Sequence, residues 1–184
     1  MNAVVFNHPI EEVTSWLLNA TEDVGPEYFQ LPVAGQRDAI YRERVYCYEL
    51  YHQWRCRWRE GFAYTLGGEI DKSGHPLIRG SSKPDFLVHV PGNMGNNLLV
   101  VEVKPAMSSR GKMASDLVKL CRFRRTPIDY SFAFFLVYGL ALEDWPDLRD
   151  EIVDALWPND AIDPELFSIV VHPSAGTRAM FVPW

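Results

Sequence analysis

The run Leu98-Leu99-Val100-Val101-Glu102-Val103-Lys104 constrains this chain more than any other stretch. Its β-branched content and its stop at Pro105 predict a strand. Successive side chains of a strand point to opposite faces. Leu99, Val101 and Val103 therefore face a core, while Glu102 and Lys104 project together from the other side. Asp85, seventeen positions before Glu102 and preceded by Pro84, opens a second predicted strand that runs to Val90. The intervening Pro91-Gly92-Asn93-Met94-Gly95-Asn96-Asn97 is dense in turn residues. An antiparallel hairpin follows, and a register pairing 85 with 102 puts both carboxylates side by side. A slip of one residue would separate them.

The rest of the chain alternates between helical and strand periods. Pro9–Leu18 predicts a short helix. A longer one is expected from Arg37 to Arg59, with Ile40, Cys47, Leu50, Tyr51, Trp54 and Trp58 on its apolar face. Phe62–Ile70 predicts a strand and Asp71–Gly74 a turn. After Pro105, Met113–Arg124 predicts a helix, Ser131–Leu140 a buried strand and Trp145–Trp157 a helix. Phe167–Val171 and Ala179–Val182 read as closing strands. This order predicts an α/β sandwich with a mixed central β-sheet. The 184 residues fit a single domain, with 1–35 as an N-terminal helical and loop extension and 141–184 as an acidic C-terminal helix with closing strands.

The net charge of −6 argues at first against nucleic acid, but its distribution does not. Residues 36–125 hold sixteen bases against nine acids, residues 1–35 five acids and no base, and residues 126–184 ten acids and two bases. A basic centre between acidic ends suits a polyanionic partner. The acidic C-terminal region suits a homodimer contact or a docking protein. Cys47, Cys56 and Cys121 share no metal-type spacing and cannot all pair, which fits a reducing compartment. No apolar run is long enough to span a bilayer, and no signal or transit peptide is read at the N-terminus. The expected address is cytoplasmic, with no membrane association.

Two neighbouring carboxylates repel unless a cation sits between them. Mg²⁺ takes oxygen ligands and commonly only one or two protein carboxylates besides water and substrate phosphate. Such an ion polarises a phosphodiester and favours hydroxide formation, and Lys104 would stabilise charge developing on the phosphoryl group. Pro84-Asp85 with Glu102-Val103-Lys104 resembles the PD-(D/E)XK nucleases, which include restriction endonucleases and Holliday-junction resolvases. The resemblance extends to element order over roughly residues 37–140: a helix carrying a Glu, a meander bearing the Asp and the E-x-K, a helix, then a buried strand.

The resemblance implies a restriction-endonuclease-like αβα sandwich and a Mg²⁺- or Mn²⁺-dependent endodeoxyribonuclease. It implies Asp85, Glu102 and the Val103 carbonyl as metal ligands and Lys104 as the catalytic lysine. It also implies a Glu of the first long helix at the metal or its water. Glu49, in the aromatic run Tyr48-Glu49-Leu50-Tyr51, is preferred over Glu43. The alternative for Glu49 is a solvent-facing pair with Gln53, four residues on. Glu69 is a weaker further carboxylate. Lys83, Arg110, Lys112 and Lys119 are expected phosphate contacts, with Asp116 the one acid opposing the last three. His89 shares a strand face with Asp85 and rims the site or serves structure; Ser108-Ser109 suit a helix N-cap. By analogy, a nuclease of this size fits phage defence or mobile-element biology. The alternative is a catalytically silent nuclease fold that binds nucleic acid or assembles with protein. An acidic interaction protein or DNA mimic ranks last, since it needs neither Lys104 nor a helical Glu.

Overall fold

A computed structural model describes residues 8–68, 83–93, 95–158 and 160–184. Six strands form one open, mixed sheet whose spatial order is the chain order: β1 (Thr65–Gly68), β2 (Phe86–His89), β3 (Asn97–Pro105), β4 (Phe132–Tyr138), β5 (Ser168–His172) and β6 (Met180–Val182). Strands β1, β2 and β3 are an antiparallel meander. Strands β3, β4 and β5 run parallel, and β6 returns antiparallel. A parallel neighbour needs a crossover. Helix α4 (Arg110–Phe123) supplies it between β3 and β4, and α5 (Trp145–Asp154) lies in the crossover from β4 to β5.

The alternation of β3 sorts the two layers. Leu99, Val101 and Val103 pack with α1 (Pro9–Glu22), α2 (Pro26–Phe29) and α3 (Glu43–Cys56). On the other face Leu87, Val100 and Phe135 pack with Met113, Leu117 and Leu120 of α4 and with Leu148 and Ile152 of α5. Strand β3 is thus covered on both sides, and Leu98 to Pro105 are all buried. Buried between the layers, it reads as a near-continuous hydrophobic run.

Several boundaries differ from the sequence expectation. The helix expected from Arg37 begins at Glu43, because Ile40 is extended and exchanges two backbone hydrogen bonds with Leu31. Helix α1 runs four residues further than expected, to Glu22. The 1–35 segment is no loose preamble: Val13, Leu17, Ala20, Val24 and Phe29 are buried in the same core as α3. The Thr21 hydroxyl also accepts the Ala179 N–H at 2.8 Å, tying α1 to the approach to β6. The expected first strand is confined, among the described residues, to Thr65–Gly68. Glu69 and the Asp71–Gly74 turn lie outside the described residues. Among the described residues, no helix is long and apolar enough to cross a membrane.

Candidate active site

The hairpin register decides whether Asp85 and Glu102 meet. Phe86 pairs with Val101 and Leu87 with Val100. Continued by one residue, that register sets Asp85 opposite Glu102, as the sequence demanded. Asp85 sits just before β2 and accepts the Val103 N–H through Oδ2 at 2.7 Å. The bond pins a carboxylate to the strand that carries the other acid.

Glu102 is 1% exposed and points to the α4 side of the sheet. Lys119 of α4 meets it there, with Nζ 2.7 Å from Glu102 Oε1 and 3.1 Å from Asp116. Two residues along β3, where the sheet ends, Lys104 reaches both helical layers. Its Nζ lies 2.8 Å from Glu43 of α3, 3.3 Å from Asp116 of α4 and 3.2 Å from the Val103 carbonyl. Four carboxylates (Glu43, Asp85, Glu102, Asp116) thus share two ammonium groups, an excess of two negative charges when all are ionised.

Burial dominates the electrostatics of the two acids. Burial raises Asp85 to about 6, against the Val103 hydrogen bond and the two lysines. Burial first, and then the Asp85 charge, push Glu102 well above the usual carboxylate range. Burial alone would lower Lys104, but Asp116 and Glu43 outweigh it and hold the ammonium above its ordinary range. Lys119 is raised in the same way by Glu102 and Asp116. Both shifts favour the charged ammonium over the neutral amine.

The remaining sequence candidates fall less evenly. Glu49 does not enter this cluster; its Oε1 accepts from Gln53 Nε2 at 2.6 Å, one turn on. Glu43 takes its place, and the sequence did contain the signal. The buried positions of α3 include Cys47, Leu50 and Trp54, and Glu43 precedes them at the same helical spacing. Glu49 falls off that stripe. Lys119, expected on phosphate, is instead paired inside the cluster. Arg110 is committed to structure: it bonds Glu151 at 2.6 Å and the carbonyls of Ala106 and Ser108. Lys112 is exposed on α4. Lys83 is exposed beside Asp85 and lines a pocket with Glu43, Arg44 and Asp85. The Val103 carbonyl faces the Lys104 ammonium. His89 lies at the far end of β2, near the Tyr130 hydroxyl. Ser109 is the N-cap of α4, without a side-chain capping bond.

Asp116 was missed. Read as a lone acid among surface bases, it bridges Lys104 and Lys119 with its side chain 16% exposed. Its spacing to Lys119, one helical turn, was visible; the docking of that turn on Glu102 was not.

The donor set suits a hard cation. The cluster offers carboxylate oxygens, the ligand type that Mg²⁺ takes, and burial disfavours their charge unless a cation is present. Among the described residues, no three Asp, Glu, His or Cys side chains are grouped so as to hold an ion by themselves. In comparisons with known proteins, no family model matches this chain, and neither the curated proteins nor the solved structures give a match.

Proposed function

We propose that this protein is a metal-dependent nuclease, with DNA as the favoured substrate and a restriction-endonuclease-like sandwich as its scaffold. One observation carries the reading: Asp85 and Glu102 are brought together by the hairpin register, with Lys104 on the same strand two residues on. Element order supports it. Helix α3, the β1–β3 meander, α4 and β4 follow one another as in the PD-(D/E)XK nucleases that the motif resembles.

Asp85 and Glu102 would hold Mg²⁺ or Mn²⁺, with the Val103 carbonyl, which now faces the Lys104 ammonium, as a further candidate oxygen. When bound, the ion supplies Lewis acidity at the phosphoryl oxygen and lowers the pKa of a water. The protein's own groups do the rest. The Val103 N–H fixes the Asp85 carboxylate. Lys104, kept cationic by Glu43 and Asp116, presents a fixed charge where negative charge develops in phosphodiester hydrolysis. Glu43, at the mouth of the cluster and about a third exposed, is placed to hold the attacking water or a ligand to the ion. Lys119 screens Glu102 from Asp116.

The test is cleavage of plasmid, linear duplex, single-stranded DNA and RNA in Mg²⁺, Mn²⁺ and EDTA, by wild type and Lys104→Ala. Cleavage lost both in EDTA and in the variant is the expected result. Cleavage that survives Lys104→Ala overturns the mechanism.

A second reading rests on the burial of Glu102 and its pairing with Lys119. An acid already neutralised is what a silent nuclease fold, kept as a binding or assembly module, would show. Nucleic-acid binding without turnover in any divalent ion would favour it.

A further inference from the structure

Asp85 stands between two pockets of opposite character. One, of about 160 Å³, is charged and lined by Glu43, Arg44, Lys83 and Asp85 itself. The other, of about 310 Å³, is apolar and aromatic. Among the described residues its lining is Cys47, Tyr48, Tyr51, Gly68, Asp85 and Phe86. That volume is at the low end of ligand pockets, which span roughly 300–1,000 Å³.

The aromatic pocket has a wall of stacked rings. Tyr51 and Phe86 lie nearly parallel, with interplanar angle 11° and centroids 6.5 Å apart. The Tyr51 hydroxyl reaches the Leu66 carbonyl at 3.4 Å. Gly68 adds no side chain; a Cβ there would stand 3.3 Å from the Tyr51 ring. Tyr48, one helical turn before Tyr51, lines the pocket and is 59% exposed, so its ring is accessible to a ligand.

We propose that the aromatic pocket takes an unpaired nucleobase of a single-stranded DNA substrate, stacked on Tyr48, while the adjoining backbone phosphate lies over the charged pocket toward Arg44 and Lys83. The inference rests on the reading of this site as one that takes a nucleic-acid strand, and it deepens that reading by naming the strand's state. A nucleotide joins a flat π-face to an anion: the aromatic pocket suits the face, and Arg44 and Lys83 in the charged pocket suit the anion, beside the carboxylates of Glu43 and Asp85. Asp85 lies at the junction, where the phosphodiester would be. A base held in a duplex stack cannot enter a side pocket without unpairing, which costs free energy that single strands do not spend. Aromatic stacking is indifferent to base identity, so the pocket selects strandedness and not sequence.

Tyr48 is tested by binding, separately from cleavage. A single-stranded oligonucleotide carrying 2-aminopurine is titrated with wild type, Tyr48→Ala and Tyr48→Phe in EDTA and in Ca²⁺, and a hairpin duplex of the same composition serves as comparison. The expected result is quenching of 2-aminopurine by wild type and Tyr48→Phe. Tyr48→Ala should lose the quenching and bind the single strand about 5- to 100-fold more weakly, with its thermal midpoint and its affinity for the duplex unchanged. Single-strand binding by Tyr48→Ala equal to wild type overturns the proposal, as does binding without quenching. The two readings fail separately. Quenching that depends on Tyr48 without cleavage in any divalent ion retains the pocket and removes the nuclease. Cleavage that is indifferent to Tyr48→Ala retains the nuclease and removes the pocket.

Discussion

Replacing Asp85 with asparagine separates what this side chain does for the fold from what it would do for a cation. Asparagine keeps the shape and an oxygen that accepts the Val103 N–H, and it removes the charge. The carboxyl titrates near 6 in the folded protein against 3.8 as the reference value. A pKa raised by folding means that the native state holds the proton more tightly than the unfolded chain. The cost of ionised Asp85 is therefore absent below about pH 4, grows between pH 4 and 6, and is complete above that. At about 1.4 kcal/mol per unit, it reaches on the order of 3 kcal/mol at pH 7 and falls below about 1 kcal/mol at pH 4. Asp85→Asn should thus be more stable than wild type in EDTA at pH 7, by about 6–12 °C in thermal midpoint for a chain of this length. The gap should close on acidification.

The difference between the two proteins is the quantity to follow. His172, fully buried, has its pKa lowered by burial to about 4 and loses stability as pH falls through 6.5. That opposing trend is common to both proteins and cancels. Adding Mg²⁺ should then raise the midpoint of wild type and leave Asp85→Asn nearly unmoved. The reasoning fails if Asp85→Asn is no more stable at pH 7, or if the gap is the same at pH 4.

Glu43→Gln should lower cleavage at least about tenfold while Glu49→Gln leaves it unchanged, as read by initial rates on one substrate. Tyr46→Phe removes a fully buried hydroxyl 2.7 Å from His172 Nδ1; urea denaturation should show a loss of about 1–3 kcal/mol. Gly139 has φ +77°, and a Cβ there would fall 2.6 Å from the Tyr41 ring. Gly139→Ala should therefore destabilise by more than about 1 kcal/mol in the same assay, with Gly176→Ala, at a similar φ but in open space, costing less.

The hairpin was legible because a strand has one rigid rule. Side chains alternate, so a Glu and a Lys two apart inside a Val run commit the register, and the pairing of Phe86 with Val101 obeys it. Helices give weaker constraints. Glu43 and Glu49 occupy the same predicted helix, and aromatic neighbours in sequence favoured Glu49. The deciding fact was which side of the helix met the sheet, which the Cys47–Leu50–Trp54 stripe encoded. Lys119 and Asp116 were legible only as surface charges, because no local pattern states where α4 crosses β3. The start of α3 was hidden for a similar reason: Ile40 is drawn out of the helix by pairing with Leu31, nine residues earlier.

Because spatial order equals chain order in the sheet, the strands can be laid down in the sequence in which a ribosome delivers them. Each new strand finds the previous one waiting at an open edge. Every member of the charged cluster, from Glu43 to Lys119, has been synthesised before β4, β5 or β6 exists. For that interval the acids and lysines have no completed sheet around them, and the edge of β3 is bare. Closure falls to β6, whose approach brings the Ala179 N–H to Thr21 in α1. A nascent chain stalled before β5 should therefore hold the local hairpin and the packing of α1 on α3 but lack the tie at Thr21, and limited proteolysis of stalled chains should cut α1 faster than in the full-length protein.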